Sequence, residues 1–158
     1  MTIRTPIDDA GQLKDVRLRL LYTHWRAAGA NDRMPSKAIV DPATLGDLMG
    51  WLFLYRVERD PLRFFYLLCG YKMVRRIGFD LTGKYVDDHP DPEARDGILK
   101  LLTAVVTTRK PHRRTASRRV LDNDMTTESV VLPLAAPDGT IDHLLGLQIL
   151  DVPGESER

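Results

Sequence analysis

Residues 63–86 constrain the fold more than any other stretch, because two glycines divide them into a strand, a short helix and a turn. The strand, Arg63–Cys69, is apolar on both faces, so one face needs the core and the other a helix or a second subunit. Gly70 breaks the strand, and Tyr71–Ile77 follows with apolar residues at helical spacing. Gly78 is typical of a left-handed helix cap. The stretch therefore predicts the wall and the lid of a small pocket.

The chain is long enough for one domain with its own core. It has 158 residues, of which 43% are hydrophobic and 28% are charged, as in ordinary globular proteins. No repeat or linker divides it, so we expect a single domain over residues 1–158, with a core at about 39–151 and a disordered tail at 152–158. The net charge of +1 excludes an overall attraction to nucleic acid or to membrane surfaces.

Targeting signals and cysteine usage are those of a cytoplasmic protein. The N-terminus lacks the charged and then apolar segments of a signal peptide. No apolar run approaches the roughly 18 residues of a membrane span. The single cysteine, Cys69, allows no internal disulfide. We therefore expect a cytoplasmic protein that contacts neither membrane nor nucleic acid.

An N-terminal helix is predicted by Asp9 and Gln12, which have the spacing of a capping box. The helix covers about residues 12–28 and ends at Gly29. Its apolar stripe is wider than one core contact needs. Either the helix packs flat on a sheet, or its second stripe forms a dimer interface or docks a partner. The candidate interface residues are Leu18, Leu21, Tyr22 and Trp25.

Two Asp-Pro pairs predict the starts of further helices, since aspartate caps a helix and proline suits its first turn. Asp41 begins a short helix, and Asp91 begins a long helix that ends near Thr108. Strands are predicted at about 51–58, 63–69, 112–121, 126–135 and 141–150. The fold class is therefore α+β: a five-stranded antiparallel sheet with a helical insert on one face and an N-terminal helix.

The order of elements and several motifs resemble the PAS fold. The motifs are Leu21-Tyr22-x-x-Trp25, Asp41-Pro42, the strand 52–57, Phe64-x-Tyr66-x-Leu68-x-Gly70 and Gly78-x-Asp80-Leu81-Thr82-Gly83. They are similar to those of the short single-domain PAS-like proteins of alphaproteobacteria, over about residues 18–151. The resemblance implies a sensory or regulatory module that binds a small ligand between sheet and insert, or serves as a dimerisation or docking surface. The length leaves no room for a kinase, cyclase or DNA-binding segment, so we expect output through a partner or self-association.

Apolar positions on one side of the predicted sheet converge with the insert on a ligand pocket. Tyr55 and Tyr66 are best suited to orient a ligand, because each combines an apolar ring with a hydroxyl group. The candidate lining residues are Phe53, Tyr55, Phe64, Tyr66, Leu68, Met73, Ile77, Leu102, Val106, Val131, Leu145 and Leu147.

The densest charge feature is a basic stretch on the third predicted strand. Its candidate residues are Arg109, Lys110, His112, Arg113, Arg114, Arg118 and Arg119. One interpretation is a solvated strand face that discourages edge-to-edge aggregation. The other is an anion site for a nucleotide, a phosphorylated partner or an acidic protein surface. The stretch contains no aromatic residue, which argues against stacking on single-stranded nucleic acid.

Motifs for catalysis and cofactor binding are missing. The chain has no phosphate-binding loop, dinucleotide fingerprint, zinc-protease motif or serine nucleophile elbow. The cluster Asp87–Asp91 contains metal-ligand residue types, but its place before a helix start favours capping and solvation. Cys69 ends a strand, away from the insert where a flavin-adduct cysteine belongs, and His89, the insert's candidate haem ligand, lies in a predicted loop. We expect no metal, haem or flavin.

These features lead to two functional hypotheses and argue against a third. The first is a non-enzymatic PAS-type regulatory module that binds a small ligand or a protein partner and signals as a homodimer. The alternative is a ligand-free dimerisation or protein-interaction domain. An enzyme is not expected, because no set of nucleophile, base and orienting residue can be assembled from the sequence.

Overall fold

Strands paired into one antiparallel sheet separate two apolar layers of the molecule. The computed structural model describes residues 2–29, 33–120 and 123–151. Within them the strands are β1 (Thr2–Pro6), β2 (Leu52–Glu58), β3 (Arg63–Cys69), β4 (His112–Val120), β5 (Asn123–Ala135) and β6 (Ile141–Asp151). They pair in the order β1-β4-β5-β6-β2-β3. The tail predicted at 152–158 lies outside the described residues.

Helices cover both faces of this sheet. In the described residues they are α1 (Val16–Ala28), α2 (Pro42–Leu45), α3 (Tyr71–Ile77) and α4 (Pro92–Thr108). One apolar cluster joins α1 and α2 to the first face, and a second cluster joins α3 and α4 to the opposite face. None of these helices combines the length and the apolar character that crossing a membrane requires.

The predicted α+β sheet is confirmed, and one further strand extends it. β1 pairs with β4, so β4 is an inner strand and not an edge. The sequence pattern missed β1 because its residues are mostly exposed and lack an alternating apolar set. Helices also lie on both faces, because β5 and β6 present buried apolar side chains to either side.

The N-terminal helix begins four residues later than the predicted start. The predicted capping box of Asp9 and Gln12 exists, but it closes a single 3₁₀ turn, Ala10–Gln12. Asp15 caps α1 by accepting a hydrogen bond from the Arg17 backbone N–H at 2.8 Å. The break has a tertiary cause: the Glu128 carboxylate on β5 accepts hydrogen bonds from the backbone N–H groups of Lys14 and Asp15, both at 2.8 Å. These bonds use donors that a continuous helix would need.

The broad apolar stripe of α1 packs flat on the sheet. Leu18 and Leu21 are fully buried, and Tyr22 and Trp25 are buried as well. The Trp25 indole Nε1–H donates a hydrogen bond of 2.8 Å to the Pro133 carbonyl on β5. The prediction that these four side chains are available to a second subunit is therefore wrong, because each one fills the interior of its own protomer.

The strand–glycine–helix stretch forms as predicted. β3 and α3 have the predicted bounds, and Gly78 caps α3 with a φ of 95°. Gly70 lies against the chain that enters β2: a Cβ atom at position 70 would overlap the carbonyl group of Gly50. Glycine is needed here because two backbone segments touch. This contact sets where α3 begins.

The segment after α3 covers the free edge of β3 and continues into α4. The Tyr66 N–H donates to the Lys84 carbonyl and the Gly83 N–H donates to the Tyr66 carbonyl, both at 2.9 Å. Arg63 stacks over the Tyr85 ring at 3.6 Å and pairs with Asp87 at 2.8 Å. The helical layer is thus attached to the sheet along one side.

Candidate ligand-binding cavity

A cavity of about 500 Å³ lies between the sheet and the layer of α3 and α4. This volume is within the range of small-molecule binding sites. The residues contributed by the helical layer are Arg76, Ile77, Phe79, Leu81, His89, Asp91, Glu93, Ala94, Ile98, Leu101 and Leu102. Most of the residues in this wall are apolar, as is usual for small-molecule sites.

The sheet supplies the floor of the cavity in rows that run across the strands. One row brings Phe53, Gly146 and Val131 together through the register of β2, β6 and β5. The next row, two residues along each strand, is polar and contains Arg114, Ser129 and Gln148. Because alternate residues of a strand share a face, these side chains lie on the cavity side of the sheet.

Seven of the twelve predicted lining residues border this cavity: Phe53, Tyr55, Tyr66, Ile77, Leu102, Val131 and Leu147. Of these, Leu147 packs in the apolar cluster on the opposite face of the sheet, as its alternation with Gly146 and Gln148 requires. Three others, Phe64, Met73 and Val106, pack in the same apolar cluster without reaching the cavity wall. Leu68 and Leu145 belong to the cluster on the opposite face, under α1. For those two, the prediction of a pocket position is wrong.

Two β-bulges explain why simple alternation failed on β3 and β6. Tyr55 pairs with Tyr66 while the preceding Leu54 pairs with Leu68, so Leu67 is an extra residue on β3. An extra residue reverses the alternation, which leaves Tyr66 on the cavity side and turns Leu68 to the other face. A second bulge, between Leu134 and Ala135 in the pairing of β5 with β6, separates the face of Ile141 from that of Leu145.

Two tyrosines form the polar centre of the apolar part. The ring centroids of Tyr55 and Tyr66 are 4.9 Å apart, and both side chains are buried. Among the described residues the Tyr66 hydroxyl has no hydrogen-bond partner. The Tyr55 phenol lies close enough to lower the pKa of Tyr66, but the geometry between the two hydroxyl groups is not that of a hydrogen bond. Burial raises the pKa of both phenols, so both are neutral near pH 7. The Tyr66 hydroxyl is therefore free to bind a polar group of a ligand.

We expect Tyr66→Phe to raise the free energy of unfolding of ligand-free protein by about 1 kcal/mol, because it removes a buried hydroxyl without a partner. Urea unfolding of protein refolded from denaturant measures this. The matched control is Tyr85→Phe, since the Tyr85 hydroxyl donates to Glu58 at 2.9 Å; this variant is expected to lose about 1 kcal/mol. A loss in Tyr66→Phe would show that the two cavity phenols are bonded to each other.

The predicted basic patch is divided between the two faces of the sheet. Arg113 pairs with Glu128 on the α1 side, at 2.6 Å between Nε and Oε2. Arg114, the next residue, lines the cavity. Arg109 donates to the Gly139 carbonyl, His112 is buried, and Lys110 is exposed. The side chains of Arg118 and Arg119 lie outside the described part of the structure. Strand alternation therefore leaves no continuous surface patch over residues 109–114.

His89 lines the cavity in a form that does not suit a haem ligand. Its Nδ1 accepts a hydrogen bond from the Asp91 N–H at 3.1 Å, which places the proton of the neutral ring on Nε2. Burial lowers the pKa of His89 and favours this neutral form. An axial histidine instead coordinates with one nitrogen and donates a hydrogen bond with the other.

Cys69 and the acidic cluster are occupied in structural roles. Cys69 is buried beside Phe53 at the end of β3, burial raises its thiol pKa, and the residue is not part of the cavity wall. It is therefore not placed for an adduct with a flavin in the cavity. Asp91 caps α4, as predicted, and Asp87 pairs with Arg63. Over the described residues no three His, Cys, Asp or Glu side chains are grouped as a metal would require.

Sequence reasoning missed the polar part of the floor. Thr127, Ser129 and Gln148 line the cavity, but none of them was among the predicted lining residues. Their signal is positional: Thr127 and Ser129 share strand parity with Val131, which was identified as a lining residue. A polar residue at an interior position of a buried strand indicates a site, because such positions are normally apolar.

Comparisons with known proteins identify the family but no close relative. A family model described as PAS domain matches residues 13–149, which leaves β1 outside the match. An RNA-binding Light-Oxygen-Voltage receptor has 14% identity and a TM-score of 0.48 over 94% of this chain, which spans 38% of that receptor. The PAS domain of Bordetella pertussis BvgS has 15% identity and a TM-score of 0.43, covering 63% of this chain and 74% of that one. A sensory box histidine kinase/response regulator from Burkholderia thailandensis E264 has 12% identity and a TM-score of 0.42, and the match covers 74% of this chain and 89% of that one. Among curated proteins, none matches the chain.

Proposed function

Because the chain belongs to the PAS domain family, we propose that it is a non-enzymatic sensory module whose cavity binds a small ligand and reports the ligand to a partner. PAS domains are typical of sensory signalling proteins. The observation that carries this proposal is the cavity of about 500 Å³ between sheet and helices, with the buried and unpartnered Tyr66 hydroxyl in its wall. A signal would leave the site through α3 and α4, which form its cover.

The cavity has the composition of a binding site. Its centre is apolar and aromatic, with Phe53, Tyr55 and Tyr66 in mutual ring contact. Polar groups lie at defined positions around that centre, as in sites where apolar area gives affinity and a few polar groups give specificity. Two titratable residues of the cavity wall have structural roles, since Asp91 caps α4 and His89 accepts a hydrogen bond from the Asp91 N–H, which supports binding over catalysis.

Filling the cavity is expected to abolish binding without unfolding the domain. Gly146 lies in the floor, and a Cβ atom there would be 3.5 Å from Tyr55 Cε2, its nearest neighbour. Gly146→Leu would place a branched side chain in the cavity. The measurement is the fluorescence of N-phenylnaphthylamine, a neutral aromatic probe: wild type binds it, and Gly146→Leu does not.

The matched control is Gly146→Ala, which adds one methyl group at an ordinary contact distance and leaves most of the volume open. It is expected to bind the probe nearly as wild type does. Circular dichroism confirms that each variant is folded. If Gly146→Leu is folded and binds the probe as tightly as wild type, the cavity is not the binding site. If wild type does not bind the probe and carries no ligand in native mass spectrometry, the proposal of a sensor is wrong.

The proposal includes no flavin or haem. A flavin adduct would need a thiol in the cavity wall, and Cys69 lies outside that wall. A haem would need an available imidazole nitrogen, and His89 has its proton on Nε2. The absence of both cofactors stays a prediction, which an absorption spectrum of purified protein tests.

We also propose that the chain forms a homodimer, as the alternative function of a dimerisation domain requires. Its interface would differ from the predicted one, which is buried against the sheet. Val16 and Leu20 lie one turn apart on the outer side of α1 and are 56% and 57% exposed. A second copy of the chain would bury this apolar pair. Light scattering tests the dimer.

A further inference from the structure

Two arginines lie side by side at the cavity end of the sheet. Arg4 on β1 and Arg114 on β4 are directly paired residues of adjacent antiparallel strands. Side chains in such a pair have Cβ atoms roughly 5 Å apart on the same face. Both guanidinium groups reach α4, because a Cβ atom at Gly97 would lie 3.4 Å from Nη2 of each arginine. The absence of a side chain at Gly97 leaves room for them.

These two charges have no counter-charge in the described structure. Neither arginine forms an ion pair or hydrogen bond with another described residue, and both Nε atoms are buried without a partner. Glu93, one turn before Gly97 on α4, lines the cavity but forms no ion pair with either guanidinium. Like charges directly opposite one another on a sheet are unfavourable, and burial increases the penalty.

The same strand register places two neutral hydrogen-bonding groups beside the arginines. Arg4 pairs with Arg114, Arg114 pairs with Ser129, and Ser129 pairs with Gln148. The four residues form one row across β1, β4, β5 and β6, which we call the polar row. Arg114, Ser129 and Gln148 of this row line the cavity. Two guanidiniums, a hydroxyl and an amide are the donor set that proteins use for carboxylate and phosphate groups.

We infer that the ligand of this cavity is an organic oxyanion, whose carboxylate or phosphate binds the polar row at Arg4 and Arg114 and whose apolar body lies against Phe53, Tyr55 and Tyr66. The inference rests on the proposed function, since it names the class of ligand that the module senses. The bound anion would supply the missing counter-charge between the arginines. Burial and the charge of Arg4 lower the pKa of Arg114, in keeping with a cation that lacks its partner.

One of the two arginines, Arg4, lies outside the region that the family model matches. The family model begins at residue 13, whereas Arg4 is on β1 at Thr2–Pro6. The added strand therefore contributes a ligand-binding group as well as covering the edge of β4. An oxyanion bound at this row would connect β1 to α4 through Gly97, which links ligand binding to the position of the helical layer.

Two probes that share one aromatic body test the inference. Anilinonaphthalene sulfonate is N-phenylnaphthylamine with a sulfonate group, so their comparison isolates the oxyanion. We expect wild type to bind the sulfonate more tightly than the neutral probe, with an advantage that declines as salt is added. Arg4→Gln and Arg114→Gln should each weaken sulfonate binding by roughly tenfold and leave the neutral probe unchanged.

Arg75→Gln is the matched control, because Arg75 is exposed on α3 and is not a cavity residue. It should not alter either affinity. Displacement of the sulfonate by octanoate or by octyl phosphate, but not by octanol, shows which oxyanion the row prefers. Both Arg4→Gln and Arg114→Gln should melt at or above the wild-type temperature, because each relieves a repulsion.

Contrary outcomes separate this inference from the proposed function. If Arg4→Gln and Arg114→Gln bind the sulfonate as wild type does, while the neutral probe still binds, the oxyanion site is wrong and the sensor proposal stands. If wild type binds neither probe, the sensor proposal fails, and the oxyanion ligand fails with it. A variant that does not fold also overturns the inference, because it shows that the arginine has a structural partner.

Discussion

Replacing Gly70 by alanine is expected to destabilise the protein by about 3 kcal/mol or more, as overpacking against rigid backbone does. The added Cβ would overlap the carbonyl group of Gly50 and lie 2.7 Å from the Met49 carbonyl oxygen. Both obstacles are backbone atoms, so no side-chain rotation relieves the overlap. Either β3 moves away from the start of β2, or α3 shifts. Urea unfolding followed by far-ultraviolet circular dichroism measures the loss.

Gly50→Ala is the control on the other side of the same contact. Its Cβ would meet Tyr71 Cε1 at 2.8 Å and the Lys72 Cγ and Cδ atoms at 3.1 Å. These are side-chain atoms, and Tyr71 is 61% exposed, so both side chains can turn away. We expect a loss of about 1 kcal/mol. Equal losses for the two variants would show that backbone contact is not what requires glycine at position 70.

Substituting Leu21 by glutamate is expected to unfold the protomer. Leu21 is fully buried between α1 and the sheet. The variant loses the packing of a buried leucine and places a carboxylate in an apolar layer, a combined loss of about 5 kcal/mol or more. This approaches the whole stability of many small domains. The circular dichroism spectrum of the variant, if it is recovered at all, should be that of an unfolded chain.

The neighbouring substitution Leu20→Glu is the matched control for Leu21→Glu. Leu20 is 57% exposed on the opposite side of α1, so the change should alter stability by about 0.5 kcal/mol or less. If α1 forms the proposed dimer, this variant is a folded monomer in light scattering. A folded Leu21→Glu variant that is merely monomeric would instead restore the predicted interface and contradict the burial of α1. Wild type that is monomeric at micromolar concentration would exclude the dimer.

The positions of α3 and of the cavity depend on one another. Gly70 sets the start of α3, and Ile77 at its end lines the cavity. The stretch 63–86 was identified from sequence as a wall and a lid, and the structure places it in both roles: Tyr66 belongs to the sheet wall, and Leu81 to the cover. Variants of Gly70 that remain folded should therefore also change probe binding.

Sequence patterns predicted the elements that local interactions decide. The bounds of β3, α3 and α4 follow from Gly70, from the left-handed Gly78 and from the Asp91-Pro92 start, which act within a few residues of themselves. The predicted start of α1 was wrong because the residue that ends the preceding turn, Glu128, is more than a hundred residues away in the chain. The bulges at Leu67 and between Leu134 and Ala135 move the neighbouring side chains to the other face of the sheet, which strand alternation alone does not predict.

The sequence by itself determined that this chain forms an antiparallel α+β domain with an apolar strand needing cover on both faces, because periodicity and capping are encoded in neighbouring residues. Only the tertiary structure decided which side of α1 is buried, which lining residues meet at the cavity, and which basic residues belong together. Arg4 and Arg114 are far apart in the chain, and strand register alone makes them neighbours. Register follows from the packing of the whole sheet, so no local pattern at either arginine indicates the other.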